Sequence, residues 1–163
     1  MKKLMVVGGN NAEILDSIES EYEVVTSVTA NDAVYFVTSQ DINIRKEFLD
    51  QIDSFDGEVT AIIDKSAIVA DSATIEAGSY VGKRSALSVG VKVGKGTFIG
   101  ASVTIDYDVA IGDYCNIASG VVIGNNTVIG NGVNIGVGAV IDKDTIIDDN
   151  TVIPAGYGIN YIE

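Results

Sequence analysis

The sequence predicts a mainly β protein, a left-handed parallel β-helix of five to six coils that follows a small, truncated Rossmann-like α/β domain. We expect the α/β domain at residues 1–57 and the β-helix at residues 58–163. The first observation is that an aliphatic residue recurs at every sixth position from Ile63 to Ile159, seventeen times without an insertion. The second is that a small or β-branched residue stands two positions earlier, from Ala61 to Thr151. Such a fixed period is the signature of a repeat architecture.

Each six-residue unit predicts one short strand and one corner, and three units close a triangular coil of 18 residues. Side chains alternate along a strand, so the aliphatic column and the small column both point into the prism. Stacked coils then bury each other's apolar faces. A hexapeptide period of this kind is typical of the left-handed form.

The first 57 residues lack this period and predict alternating strands and helices. Strands are expected at residues 4–7, 22–28 and 33–38 and helices at 12–18 and 41–52, the second with Asp41 as its N-cap. Ile44, Phe48 and Ile52 share one face of that second helix, which predicts that this face is buried.

A glycine loop, formed by Gly8, Gly9, Asn10 and Asn11, follows the first strand. A loop of this type can hold a phosphate at a helix N-terminus, so these four residues are candidates for substrate binding. The alternative is a plain turn between a strand and a helix, which is the more frequent meaning of such a short motif.

Charge and composition exclude several classes of function. Ten basic and 23 acidic side chains give a net charge of −13, which disfavours nucleic acid and anionic membranes as partners. No apolar stretch is long enough to cross a bilayer, and a single cysteine suits a reducing compartment, so we expect a cytoplasmic protein. The chain has no histidine, which excludes Ser-His-Asp and Cys-His catalysis and histidine-bound zinc, and no metal is expected.

Several segments resemble one family over almost the whole chain. They are the glycine loop with its preceding strand (3–9), the segment 37–41 with Arg45 and Lys46, the start of the coils (63–67) and, most specifically, the segment 107–117, Tyr-Asp-Val-Ala-Ile-Gly-Asp-Tyr-Cys-Asn-Ile. These resemble the bacterial sugar acyltransferases of the sialic acid O-acetyltransferase and nucleotide-amino-sugar N-acetyltransferase type.

The resemblance implies a homotrimer that transfers acetyl from acetyl-CoA to an amino or hydroxyl group of a nucleotide-linked or glycan sugar. It places the catalytic positions at Tyr107, Asp108 and Asn116. In the family the first is a histidine that serves as general base, the second is the acid that orients it, and the third is a histidine that helps to hold the acyl group. The family also has a histidine where this chain has Asp64.

Two functions stay open on these residues. An amine that arrives neutral needs no strong base, which keeps an active acetyltransferase possible. The alternative is a catalytically inactive family member, a trimeric scaffold or sugar-binding subunit in glycan biosynthesis.

Asn125 and Lys143 stack above Tyr107 and are the candidates for binding acetyl-CoA, yet Lys143 is the one cation among residues 96–163, against eight acids. Cys115 falls in the small inward column and is expected to be a core thiol.

Two outward-facing apolar pairs, Val122 with Val140 and Val128 with Ile146, are separated by 18 residues and therefore stack. Ordinary β-branching on a sheet surface would explain them. We favour a subunit contact, because contiguous apolar patches seldom stay exposed.

Overall fold

The computed structural model describes residues 2–29 and 32–160, so residues 1, 30, 31 and 161–163 of the two predicted domains lie outside the described residues. The N-terminal part contains β1 (Lys3–Val7), α1 (Ala12–Asp16), β2 (Tyr22–Val24), β3 (Ala33–Val37), α2 (Ile42–Asp53) and β4 (Glu58–Val59). Its strands pair in parallel in the order β2-β1-β3-β4. The sheet therefore continues to Val59, two residues beyond the predicted boundary, and β2 ends four residues before the expected strand end. The Rossmann-like character of this part stays a prediction.

Helix α2 confirms its predicted cap but only part of its predicted buried face, since Ile52 is buried and Phe48 half-buried. Asp41 Oδ1 accepts hydrogen bonds from the backbone N–H groups of Asn43 (2.9 Å) and Ile44 (3.1 Å). The buried side chains are Arg45, Leu49 and Ile52, whereas Ile44 is 44% exposed. The prediction that Ile44 faces the core was wrong, because an arginine occupies the row that packs against the coils.

The C-terminal part is a left-handed parallel β-helix whose described strands each span two residues. They form three sheets of five, six and six strands, and every strand pairing joins residues 18 apart, as in Asn116 with Asn134. The predicted coil length and the lack of extruded loops are thus confirmed. The strands are β5 (Ile62–Ile63), β6 (Ile68–Val69), β7 (Thr74–Ile75), β8 (Tyr80–Val81), β9 (Ala86–Leu87), β10 (Lys92–Val93), β11 (Phe98–Ile99), β12 (Thr104–Ile105), β13 (Ala110–Ile111), β14 (Asn116–Ile117), β15 (Val122–Ile123), β16 (Val128–Ile129), β17 (Asn134–Ile135), β18 (Val140–Ile141), β19 (Ile146–Ile147), β20 (Val152–Ile153) and β21 (Gly158–Ile159).

The interior of the prism consists of the two predicted columns. Ile99, Ile105 and Ile123 are fully buried, and so is Cys115, whose thiol pKa is raised by burial. The first residue of the aliphatic column is not buried. Ile63 is 43% exposed because it lies at the open end of the prism, while its neighbour Ile62 is buried on the outer face.

A ladder of side-chain oxygens joins successive coils at one corner. Asp113 Oδ1 accepts from the Lys95 N–H (2.8 Å), Asn131 Oδ1 accepts from the Asp113 N–H (2.8 Å), and Asp149 Oδ1 accepts from the Asn131 N–H (2.7 Å). The carboxylate of Asp113 lies so close to Gly94 that a Cβ there would come within 2.4 Å of it. Glycine is therefore required at that corner.

Ile117→Asp should unfold the protein or cost more than the about 2–5 kcal/mol of a buried Ile→Ala change, because it adds an uncompensated charge to a lost apolar contact. Val89→Asp is the control, since Val89 is 62% exposed. Urea unfolding compares them, and equal free energies of unfolding for the two variants would contradict the inward position of Ile117.

Candidate functional site

The outer face of one β-helix sheet changes character along its length. Ile62, Tyr80 and Phe98 stack on one another and are almost fully buried beneath the α/β part. The rings of Phe36 and Phe98 stack with centroids 6.0 Å apart. The next residue of the column is Asn116, where the apolar cover ends.

A groove of about 580 Å³ opens at this point, between the α/β part and the coils. The α/β part contributes Glu13, Ile14 and Gln40 to its wall. The coils contribute apolar side chains and four with polar groups, Tyr80, Asn116, Ser119 and Asn134. Mostly apolar clefts with a few placed polar groups are typical small-molecule sites.

Arg45 of α2 is fully buried beside the groove and fixes one of its walls. Its Nε donates to the Gly96 carbonyl (2.7 Å) and its Nη1 to the Ser39 carbonyl (2.7 Å). Its Nη2 donates to Asn116 Oδ1 (2.8 Å), and its guanidinium lies 4.0 Å from the centroid of the Phe98 ring. Burial lowers the pKa of this guanidinium to about 10, so the side chain stays charged at neutral pH.

Asn116 is held on both sides of its amide. Its Oδ1 accepts from Arg45, and its Nδ2 donates to the Gln40 carbonyl (2.9 Å) and to Asn134 Oδ1 (3.2 Å). Asn116 and Asn134, which stack in successive coils, are thus joined by a hydrogen bond between their amides. The Asn116 side chain acts as a fixed hydrogen-bonded element, and its two amide hydrogens are already engaged within the chain.

Tyr107 and Asp108 lie at the corner between β12 and β13 and do not line the groove of their own chain. Tyr107 is 47% exposed, and its backbone N–H donates to Asp106 Oδ1 (2.8 Å). The Asp108 carboxylate packs over Gly90 of the coil below, where a Cβ would come within 2.2 Å of Asp108 Oδ1. One chain alone does not bring these two residues together with Asn116.

Asn125 and Lys143 stack above Tyr107 as expected. The carbonyl of Tyr107 accepts from the Asn126 N–H (3.2 Å), and that of Asn125 accepts from the Asp144 N–H (2.9 Å). Lys143 is flanked in sequence by Asp142 and Asp144. The pyrophosphate and 3′-phosphate of CoA need several cationic partners. One ammonium between two carboxylates fits them poorly.

The glycine loop borders a second hollow, of about 430 Å³, instead of the groove. Gly8 and Gly9 adopt φ values of 96° and 113°, which favour glycine. Asn11 caps α1 by accepting from the Ile14 N–H (3.4 Å), and this hydrogen bond supports the plain strand-to-helix turn. Substrate binding by the glycine loop stays a prediction.

Asp64, where the family has a histidine, fastens α1 to the first coils. Its carboxylate accepts from the hydroxyls of Ser17 (2.7 Å) and Ser66 (2.6 Å), and the Ser17 hydroxyl also lies 3.1 Å from the Tyr80 hydroxyl. Burial by itself raises the pKa of Asp64, but these hydrogen bonds and one from the Ser66 N–H outweigh it and lower the pKa to about 2. Asp64 is therefore ionised at neutral pH.

Sequence reasoning missed three residues that line the groove, Glu13, Gln40 and Ser119. It also missed the buried guanidinium of Arg45 beside the groove. One signal was present, because Arg45, Leu49 and Ile52 have the i, i+4, i+7 spacing of a single helix face. An arginine in a row with two aliphatic residues indicates a buried guanidinium or a buried stem.

Comparison with known proteins agrees with this fold. Residues 90–125 match the family described as bacterial transferase hexapeptide (six repeats). The chain is similar to the acetyltransferase domain of PglB from Neisseria gonorrhoeae (21% identity, TM-score 0.88), over 98% of this chain and 92% of that one. It is also similar to a mutant of perosamine N-acetyltransferase from Caulobacter crescentus in complex with CoA and GDP-perosamine (19% identity, TM-score 0.62), over 97% and 91%. No curated protein sequence gives a match.

The resemblance to sugar acetyltransferases is thus confirmed at the level of the fold. Within residues 2–29 and 32–160, neither helix has the length and apolar character needed to span a bilayer.

Arg45→Met should lower the free energy of unfolding by about 3–5 kcal/mol, because three buried acceptors would lose a charged donor. Lys46→Met is the matched control, since it removes the same charge from an exposed position of the same helix. Chemical denaturation of the two variants checks this, and equal stability losses would show that the Arg45 hydrogen bonds contribute nothing.

Proposed function

We propose that this protein transfers an acetyl group from acetyl-CoA to an amino or hydroxyl group of a sugar, nucleotide-linked or part of a glycan, bound in the groove. The groove carries the proposal: it combines an apolar wall with fixed amides and lies where the α/β part meets the coils. The likeness in fold to acetyltransferases over nearly the whole chain supports it.

The residues of this chain would act mainly by binding and orienting the sugar. In the reaction, the acceptor nitrogen or oxygen forms a bond to the acetyl carbonyl carbon and the C–S bond of the thioester breaks. The acceptor loses a proton and the sulfur of CoA gains one, so CoA leaves as a thiol. A sugar amine that binds in its neutral form needs no strong base for this attack, which suits a chain without histidine. Arg45 holds Asn116 in one orientation, so the groove wall is preorganised before the sugar binds.

A second candidate is a non-catalytic sugar-binding subunit or scaffold in glycan biosynthesis. It is favoured by the state of Asn116, whose amide hydrogens are both donated inside the chain. The acidic neighbours of Lys143 also favour it, because they oppose the phosphates of CoA.

Calorimetry with acetyl-CoA separates the two candidates. The acetyltransferase requires saturable binding of acetyl-CoA by the unmodified protein at or below millimolar concentration. Heat changes no larger than dilution, together with measurable sugar binding, would leave only the non-catalytic subunit.

Tyr107→His combined with Asn116→His tests whether the site geometry survives. We expect acetyl transfer to rise at least tenfold when a panel of amino sugars is offered, because a general base typically contributes 10²–10⁴-fold. Tyr157→His is the control, since Tyr157 is 56% exposed in the last coil. A folded double variant that transfers no acetyl would show that more than the base is missing.

We further propose a homotrimer that places Tyr107 and Asp108 of one chain near the groove of the next. Val122 and Val140 stack with exposures of 42% and 50%, and Val128 and Ile146 with 48% and 77%. Covering such a patch would stabilise association despite the acidic surface. Light scattering at moderate salt should give three times the mass of one chain, and Ile146→Asp should reduce it. A monomer would remove any site shared between subunits.

A further inference from the structure

The polar groups that line the groove are neutral or acidic. Glu13 contributes a carboxylate and Gln40 an amide, both exposed. Asn134 accepts from Asn116 through Oδ1, which leaves its Nδ2 hydrogens for a ligand. Ser119 accepts from the Ala101 N–H (3.2 Å), which leaves its hydroxyl hydrogen for a ligand. The four side chains therefore offer donors and acceptors for hydroxyl groups.

Apolar side chains lie next to these polar groups on the same side of the groove. Val152 pairs with Asn134 in the adjacent strand, and Val137 follows Ser119 by 18 residues, one coil further on. Val137 and Val152 are 60% and 69% exposed, and Pro154 also lines the groove. A sugar ring has an apolar C–H face and a rim of hydroxyls, so it can contact the apolar and the polar side chains at once. A mostly apolar cleft with a few polar groups matches the usual anatomy of a small-ligand site.

Two nearby groups that could bind a phosphate, Arg45 and the N-terminus of α2, are occupied by the chain itself. All ten lysines and arginines lie within the described residues, and none lines the groove. The Arg45 guanidinium is buried and donates to Gly96, Ser39 and Asn116. The N-terminus of α2, which otherwise attracts anions, is capped by the carboxylate of Asp41.

Two lysines near the ends of these helices are ion-paired. Lys83 forms an ion pair with Asp16 at the end of α1, and Lys95 forms one with Asp53 at the end of α2. Lys46 of α2 lies over the ring of Tyr114, 5.8 Å from its centroid. A diphosphate held in the groove would therefore meet Glu13 and no cation of the groove lining, and like charges repel at this range.

We infer that the groove selects a sugar that carries no phosphate, free or linked in a glycan, over the same sugar linked to a nucleoside diphosphate. This inference rests on the proposed function and narrows its substrate class. The carboxylate of Glu13 contributes by repelling the diphosphate, while Asn134 and Ser119 bind the hydroxyls. The proposed ligand differs from that of the perosamine N-acetyltransferase, whose structure holds the nucleotide-linked sugar GDP-perosamine.

Calorimetry on the full chain tests the inference with paired probes: methyl glycosides of hexoses and amino hexoses, and the UDP- and GDP-linked forms of the same sugars. We expect at least one glycoside to bind and its nucleotide-linked form to bind at least tenfold more weakly at low salt. This ratio should shrink in 0.5 M salt, because salt screens charge repulsion.

Two variants assign the selectivity to residues. Glu13→Gln should tighten binding of the nucleotide-linked sugar at least threefold and change glycoside binding less. Glu21→Gln is its control, with the same change in net charge at an exposed residue outside the groove. Asn134→Ala should weaken glycoside binding about tenfold by removing a hydrogen-bond donor. Gln51→Ala, which removes an amide from the far end of α2, should leave it unchanged.

The outcomes separate the inference from the proposed function. A nucleotide-linked sugar that binds as tightly as its glycoside, or more tightly, overturns the inference and leaves sugar binding intact. Equal effects of Glu13→Gln and Glu21→Gln also overturn it, since the repulsion would then not come from the groove. If no sugar of either kind binds, the proposed function itself is wrong.

Discussion

The guanidinium of Arg45 sets the geometry of this molecule around its groove. A buried cation is costly, and none of the described carboxylates forms an ion pair with it. Instead it donates to carbonyl groups of two segments and to the side chain of Asn116. These hydrogen bonds are satisfied only when α2 lies in one position against the coils. The α/β part is therefore docked by a polar interaction as well as by its apolar contacts.

The groove follows from this docking. Beneath the α/β part, the outer face of one sheet presents Ile62, Tyr80 and Phe98, and the next coils present Asn116 and Asn134. The change from apolar to amide side chains coincides with the edge of the covered region. These half-buried amides and the neighbouring valines then form a cleft that contains both polar and apolar side chains. Its chemistry favours hydroxyl groups, since its one charged lining residue is acidic.

The two parts of the chain differ in how far the sequence predicts them. The six-residue period predicts the coils. Every coil has the same local structure and stacks on the coil 18 residues before it, so the period determines both the strand pairing and the positions of the turns. The pattern is broken at both ends, at Ile63, because no coil precedes it, and at Tyr157 in the last coil, which is 56% exposed. The corner ladder through Asp113 and Asn131 also fits this regularity.

The groove depends on contacts that no local pattern contains. Arg45 and Asn116 are 71 residues apart, and the rotation of α2 is decided by this one buried cation instead of by its apolar periodicity. The resemblance places two catalytic positions at Tyr107 and Asp108, and both residues lie outside the groove of a single chain. Asn116, the third position that the resemblance indicates, lines the groove, but the resemblance could not show that its amide is already engaged.

The exchange of the Arg45 Nε–H proton, measured by ¹⁵N NMR at neutral pH, tests the buried guanidinium directly. The chain has two arginines, and the exposed Arg84 provides an internal reference. The account predicts that the Arg45 proton exchanges at least about a hundredfold more slowly than that of Arg84, because exchange requires local opening of the contact between α2 and the coils. Equal exchange rates for the two protons would contradict a guanidinium held between α2, the coils and Asn116.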